Sequence, residues 1–138
     1  MENIQFDPGV KQYRINGGGV LRFHPGDPNL YRRFQEAVDK IAQLENQLRE
    51  DTGEDLLELM HATDGKLKQL LSWVFGQDND FDALLGGVNL LAVTENGQRV
   101  ITNLLQALEP VLVEGAKACA REYTQAAQEK SKARKEQQ

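Results

Sequence analysis

The residues of this chain best suited to chemistry are few, and each misses the spacing its chemistry needs. Asp78-x-Asp80-x-Asp82 has the alternating carboxylates that open a calcium loop. Such a loop also needs glycine at its sixth position for the sharp turn and a bidentate acid at its twelfth. Those positions are Ala83 and Asn89, so the run reads as a solvated loop whose acids cap the next helical turn. His24 and His61 are the only histidines, and neither has Cys or His at metal-ligand spacing. Both read as surface residues. Gly17-Gly18-Gly19 has neither the GxxxxGK[ST] nor the GxGxxG pattern of a phosphate loop, and a strand follows it rather than a helix. It reads as a turn. Cys119 is the single cysteine, falls on a helical apolar position, and reads as a small buried hydrophobe with no base to activate it. Ser72 lacks a G-x-S-x-G setting. Acid pairs such as Glu54/Asp55 suit the positive end of a helix dipole without any acid–base role. No catalytic, cofactor-binding or metal-binding residue is expected, and the chain does not read as an enzyme.

What stands out instead is apolar. Trp73, Val74 and Phe75 are adjacent, so on a helix they point in three directions and one face cannot bury them all. Phe81, Leu84 and Leu85 follow soon after. Either the loop folds back and encloses them in the core, or part of the cluster is a surface patch for a partner, as exposed clustered apolar groups often are. These six residues are the candidate partner-binding set.

The elements that position them are read from periodicity. Residues 11–24 form a β-hairpin: Tyr13 and Ile15, then Leu21 and Phe23, alternate with polar residues, and Asn16 to Gly19 tolerate the positive φ of a tight turn. A further short strand at Ile4–Phe6 would make three. A hairpin is barely stable alone, so helices must cover its apolar face. Asp27-Pro28 caps and starts a helix over about 28–50, with a stripe Leu30, Phe34, Ala37/Val38, Ile41, Leu44, Leu48. Thr52-Gly-Glu-Asp55 resembles a capping box for a second helix over about 53–75, weakened at Gly65 and stopped by Gly76. A helical turn at 81–85 precedes a last helical region over about 89–128, where Val100, Ile101, Leu104, Leu105, Leu108, Val111, Leu112, Ala116 and Cys119 keep helical spacing, interrupted at Gly97 and kinked or split at Pro110. The expected architecture is α+β, mostly α: one domain, 1–128, of a hairpin on three to four helices, with a flexible basic tail at 129–138.

Composition bounds the rest. The 138 residues suit one modest core, with 40% hydrophobic and 27% charged residues. No apolar run approaches the ~20 residues that span a bilayer, and MENIQFDPGV lacks the basic start and apolar core of a signal peptide. Membrane association is not expected, and a lone cysteine fits a reducing cytosol. The net charge of −5 gives no general attraction to nucleic acid, although KSKARKEQQ at the end is basic.

Two segments carry a family resemblance. Gly18-Gly19-Val20-Leu21-Arg22-Phe23 ends the hairpin, and Asp27-Pro28-Asn29-Leu30-Tyr31-Arg32-Arg33-Phe34 opens the first helix. Val74-Phe75-Gly76 closes a helix, an acidic stretch follows, and Phe81-Asp-Ala-Leu-Leu-Gly-Gly-Val-Asn-Leu90 restarts the chain. In this layout, over about residues 11–106, the chain resembles the small tail assembly chaperones of long-tailed bacteriophages and prophages. The resemblance implies a small αβ or mostly α fold without catalytic residues or cofactors. It implies binding of the aggregation-prone tape measure protein before the tail tube polymerises around it. Longer, frameshifted forms in that family contact the tube protein, and this chain would match the short form. It also implies the bacterial host cytoplasm as the location, with homo-oligomers among the expected assemblies. The residues before the hairpin and the basic tail have no counterpart in that layout. Two other readings compete: a structural tail adaptor or completion protein, and a small cytosolic regulator that binds nucleic acid through its basic end.

Overall fold

A computed structural model describes residues 1–50 and 55–136. Within them the chain is mostly helical, with an N-terminal hairpin and four helices. β1 (Lys11–Arg14) pairs antiparallel with β2 (Val20–Phe23), Tyr13 opposite Leu21 and Lys11 opposite Phe23. Asn16 (φ 50°) and Gly17 (φ 74°) both adopt left-handed conformations, and Gly18 N–H donates to the Ile15 carbonyl at 2.9 Å. That is a type I′ turn, whose twist matches the flanking strands.

The third strand expected at Ile4–Phe6 is not formed. Residues 1–10 carry no regular structure, and the Ile4 and Phe6 side chains are exposed. Asp7 Oδ1 accepts the Gly9 N–H, and Gly9 has φ +83°, so the chain bends where a strand would have to continue.

α1 (Pro28–Glu50) starts as its sequence requires: Asp27 Oδ1 accepts the Asn29 N–H at 2.9 Å, and Pro28 takes the first helical position. Its stripe buries Leu30, Phe34, Ala37 and Ile41, while Val38 falls outside it and is exposed. α2 (Leu56–Phe75) is capped by Asp55, which accepts the Glu58 N–H at 3.1 Å. Thr52 of the expected capping box lies outside the described residues. Gly76 ends α2, its N–H bonded to the Ser72 carbonyl. α3 (Phe81–Leu84) is one turn capped by Asp80, which accepts from Ala83 N–H, so the acidic run does provide a helix cap.

The last helix differs most from expectation. It was expected from Asn89, yet α4 begins at Val100 and runs to Glu136. Residues 89–99 instead form turns closed by a bridge between Val93 and Arg99. Thr94 N–H donates to the Gln98 carbonyl at 2.8 Å, and Gly97 (φ +82°) turns the chain between them. α4 also passes through Pro110 without splitting. The missing N–H frees the Gln106 carbonyl, and Gln106 and Pro110 are both exposed, so water can satisfy it. The tail read as flexible is, to Glu136, the last turns of this helix. At 37 residues α4 is about 55 Å long, and every side chain from Ala120 to Lys135 is exposed.

The core gathers the inner faces of all these elements: Leu21 and Phe23 from the hairpin, the α1 stripe, Leu67, Leu71, Val74 and Phe75 from α2, and Leu90, Leu91, Ile101, Leu108 and Leu112 from the rest. Aromatic contacts run through it. Tyr13 stacks on Phe23 (centroids 4.7 Å), Phe23 meets Phe75 edge-on (5.0 Å), and Phe75 leans on Phe81 (5.7 Å).

Candidate functional site

Two polar locks hold the hairpin, α3 and the 88–91 segment on α2. The first is Asn79. Its Oδ1 accepts the Arg22 N–H at 3.0 Å, and its Nδ2 donates to the Arg22 carbonyl at 2.9 Å and the Phe75 carbonyl at 3.1 Å. The amide therefore satisfies both backbone groups of Arg22 on the outer edge of β2, as a third strand would. Ser72 Oγ donates to the Asn79 carbonyl at 2.9 Å and fixes the loop that carries it.

The second lock is ionic. Lys68 Nζ donates to Asp64 Oδ2 at 2.8 Å and to Asp82 Oδ1 at 2.6 Å. Asp64 Oδ1 accepts the Leu90 N–H at 2.8 Å. Lys68 thus ties α2 to α3, and Asp64 ties α2 to the chain entering the last turns before α4. Burial of the Lys68 ammonium lowers its pKa, but the hydrogen bonds and charges of Asp64 and Asp82 outweigh that, and it stands raised from its ordinary 10.5. Charges this buried are tolerable only when paired and hydrogen-bonded. Asp64 and Lys68 were missed at the sequence level. The available signal was an acid and a base four residues apart on the border of the Leu67/Leu71 stripe.

An open groove of about 750 Å³ lies where the hairpin tip, the end of α3 and α4 meet. Its walls are the hairpin tip (Ile15 to Gly19), the end of α3 with the following turn (Leu84, Leu85, Val88), and one face of α4 (Val100, Leu104, Ala107, Leu108). The walls are mostly apolar. Arg14 is the one charged residue among those lining it, with Asn16, Thr94 and Asn103 supplying polar edges. Gly19 lets the hairpin tip lie against α3: a Cβ there would stand 2.9 Å from Leu84 Cδ2. A smaller depression of about 360 Å³ lies between α1 and α4, lined by Tyr31, Phe34, Val38 and Val113 with Asp39 and Glu109.

The six candidate partner-binding residues divide three ways. Val74, Phe75 and Phe81 are buried in the core, because the 76–80 loop folds back over the end of α2, and they offer no surface to a partner. Trp73 is 39% exposed with Lys40 Nζ 5.4 Å from its ring centroid, a cation–π contact, and it does not line the groove. Leu84 and Leu85 do line it. Of the groove residues on α4, the sequence places Val100, Leu104 and Leu108 in a helical stripe and does not single out Ala107.

The residues weighed for chemistry lie apart. His24 is half-buried, its Nδ1 accepting the Gly26 N–H at 3.0 Å, while His61 is exposed on α2. Cys119, read as buried, is partly exposed, because α4 has by then passed the end of the core. Among the described residues no three His, Cys, Asp or Glu side chains are grouped to hold a metal ion, and no helix is long and apolar enough to cross a membrane. No protein-family model, curated protein or solved structure matches this chain.

Proposed function

We propose that this protein is a non-enzymatic tail assembly chaperone of a long-tailed phage or prophage, working in the bacterial cytoplasm on the tape measure protein. The single observation that carries the reading is the open apolar groove between the hairpin tip, α3 and α4, with Leu84, Leu85, Leu104 and Ala107 facing it. An amphipathic client helix needs such a trough: apolar anchors at i, i+3, i+4 and i+7 go in, and polar flanks stay in water. Its volume falls within the ~300–1000 Å³ of ligand sites, yet it is open to solvent and lacks the converging polar groups that orient a small substrate. Arg14 at the margin favours clients with an acidic flank. Several copies along one long client gain avidity even where each contact is weak.

The test is co-expression with the tape measure protein of the same phage or prophage. The client is expected to become soluble and to co-purify, and the chaperone to be absent from finished particles by mass spectrometry. A chain found in purified particles would instead be an adaptor or completion protein.

The exposed basic end of α4, with Lys130, Lys132, Arg134 and Lys135, supports a second reading as a nucleic-acid-binding regulator. That binding would weaken steeply with salt in a mobility-shift assay.

A further inference from the structure

The segment ahead of β1 and the outer edge of β1 are complementary, yet they do not meet within one molecule. The outer edge of β2 is closed by Asn79, which takes both backbone groups of Arg22. Arg22 stands opposite Gln12, so the backbone groups of Gln12 point away from β2, and those of Arg14 follow by the two-residue period. No strand lies on that edge among the described residues. An uncovered edge is a template for another strand.

Upstream, Glu2-Asn3-Ile4-Gln5-Phe6-Asp7 alternates polar and apolar residues, with Ile4 87% and Phe6 79% exposed. At period two those side chains share one face of an extended strand. The chain leaves β1 on the side of β2: Gly9 lies so close to His24 that a Cβ on it would stand 2.5 Å from the imidazole Nε2. The segment does not pair with the open edge of its own β1.

We propose that residues Glu2–Asp7 of one copy add as a third strand to the outer edge of β1 in a second copy, and reciprocally, so that the chain is a strand-exchanged dimer. Charge selects this occupant. Glu2 and Asp7 bracket the segment, whereas β1 carries Lys11 and Arg14. In antiparallel pairing of two β1 edges the outward-pointing Gln12 and Arg14 stand opposite one another, and the register that sets Arg14 against its own copy is unfavourable across a sheet. Ile4 and Phe6 would extend the apolar face of the hairpin beside Tyr13, which is only partly covered. Of the groove-lining residues the pairing involves Arg14 at the margin and none of the α4 wall, so the two readings are tested apart: the dimer through Ile4 and Phe6, the client through the α4 face.

Sedimentation equilibrium of the full chain over a wide concentration range tests it. The expected mass is twice the 15.5 kDa of one chain, falling to one chain in the Ile4→Asp/Phe6→Asp double variant, whose altered side chains lie outside the core. In a second measurement, a fluorescent peptide of residues 1–8 should bind a variant lacking residues 1–7, about fivefold more weakly when Arg14→Glu is added. A single-chain mass for the full protein at every concentration overturns the proposal, even if the peptide binds, because the pairing would then close within one chain. A dimer unchanged by the double variant overturns it too, because the interface would lie elsewhere.

Discussion

Gly115 of α4 lies against the backbone of Pro25, so close that a Cβ added to it would overlap the Pro25 carbonyl and stand 3.1 Å from Gly26 N. This contact seats α4 on the turn joining the hairpin to α1. In an open helix Gly→Ala gains up to about 1 kcal/mol. At Gly115 the sign should reverse, with a loss of about 2–3 kcal/mol in urea unfolding, because the obstacle is backbone and overpacking is costly. Gly65→Ala in α2 is the control: nothing lies within 4 Å of a Cβ there, and about 0.5–1 kcal/mol should be gained.

Asn79 is the clasp between the hairpin and α2. Asn79→Ala strips partners from the backbone of Arg22 and the Phe75 carbonyl and should cost about 2–3 kcal/mol. Asn79→Asp keeps the acceptor for Arg22 N–H but turns its second oxygen on the Arg22 and Phe75 carbonyls. It should therefore destabilise at least as much as alanine at neutral pH, although it is nearly isosteric. If the aspartate variant unfolds at the same urea concentration as the native chain, the amide donor is not what holds the hairpin.

The Lys68 lock makes a signed prediction about pH. Its pKa is raised in the folded chain, so its contribution is complete below the ordinary 10.5 and is lost as pH rises through the higher folded value. Lys68→Met should cost about 3 kcal/mol near pH 7, the low end for breaking a buried pair, because Asp82 is 65% exposed and can rehydrate. The gap between native and variant stability should shrink only above about pH 10.5. Comparing the two proteins at each pH cancels the titration of other lysines and tyrosines. A gap that closes between pH 5 and 9 would assign the lock to another group.

The hairpin, the α1 cap and the stripes of α1 and α2 were legible because each is decided by residues close in sequence: Asn16-Gly17 for the turn, Asp27-Pro28 for the cap. Residues 89–99 were misread for a related reason. Leu90 and Leu91 continue a helical apolar spacing, but Leu90 N–H is claimed by Asp64, 26 residues earlier, and Gly97, read as an interruption of the helix, turns the chain ahead of it. In the candidate site, Leu84 and Leu85 were visible as apolar residues beyond a helix end. Val74, Phe75 and Phe81 looked equivalent to them, because burial depends on where the 76–80 loop folds, and Asn79 decides that from a contact 57 positions away. The groove itself joins residues from 14 to 108, and no local pattern announces it.

The client-binding role proposed for the groove rests on a surface that can be blocked without touching the core. Ala107 is exposed on α4 and lines the trough, so Ala107→Arg places a long cation in it while keeping good helix propensity. Thermal stability should stay within the ±0.5 kcal/mol usual for surface substitutions. Burying an unpaired guanidinium under an apolar client helix carries a penalty of at least ~1.4 kcal/mol, so affinity for the tape measure protein should fall about tenfold or more. Binding by isothermal titration and client solubility on co-expression should fall together. Trp73→Ala, outside the groove, should leave both unchanged. If the arginine variant still solubilises its client and the Trp73 variant does not, the client docks beside Lys40 and the trough is not its seat.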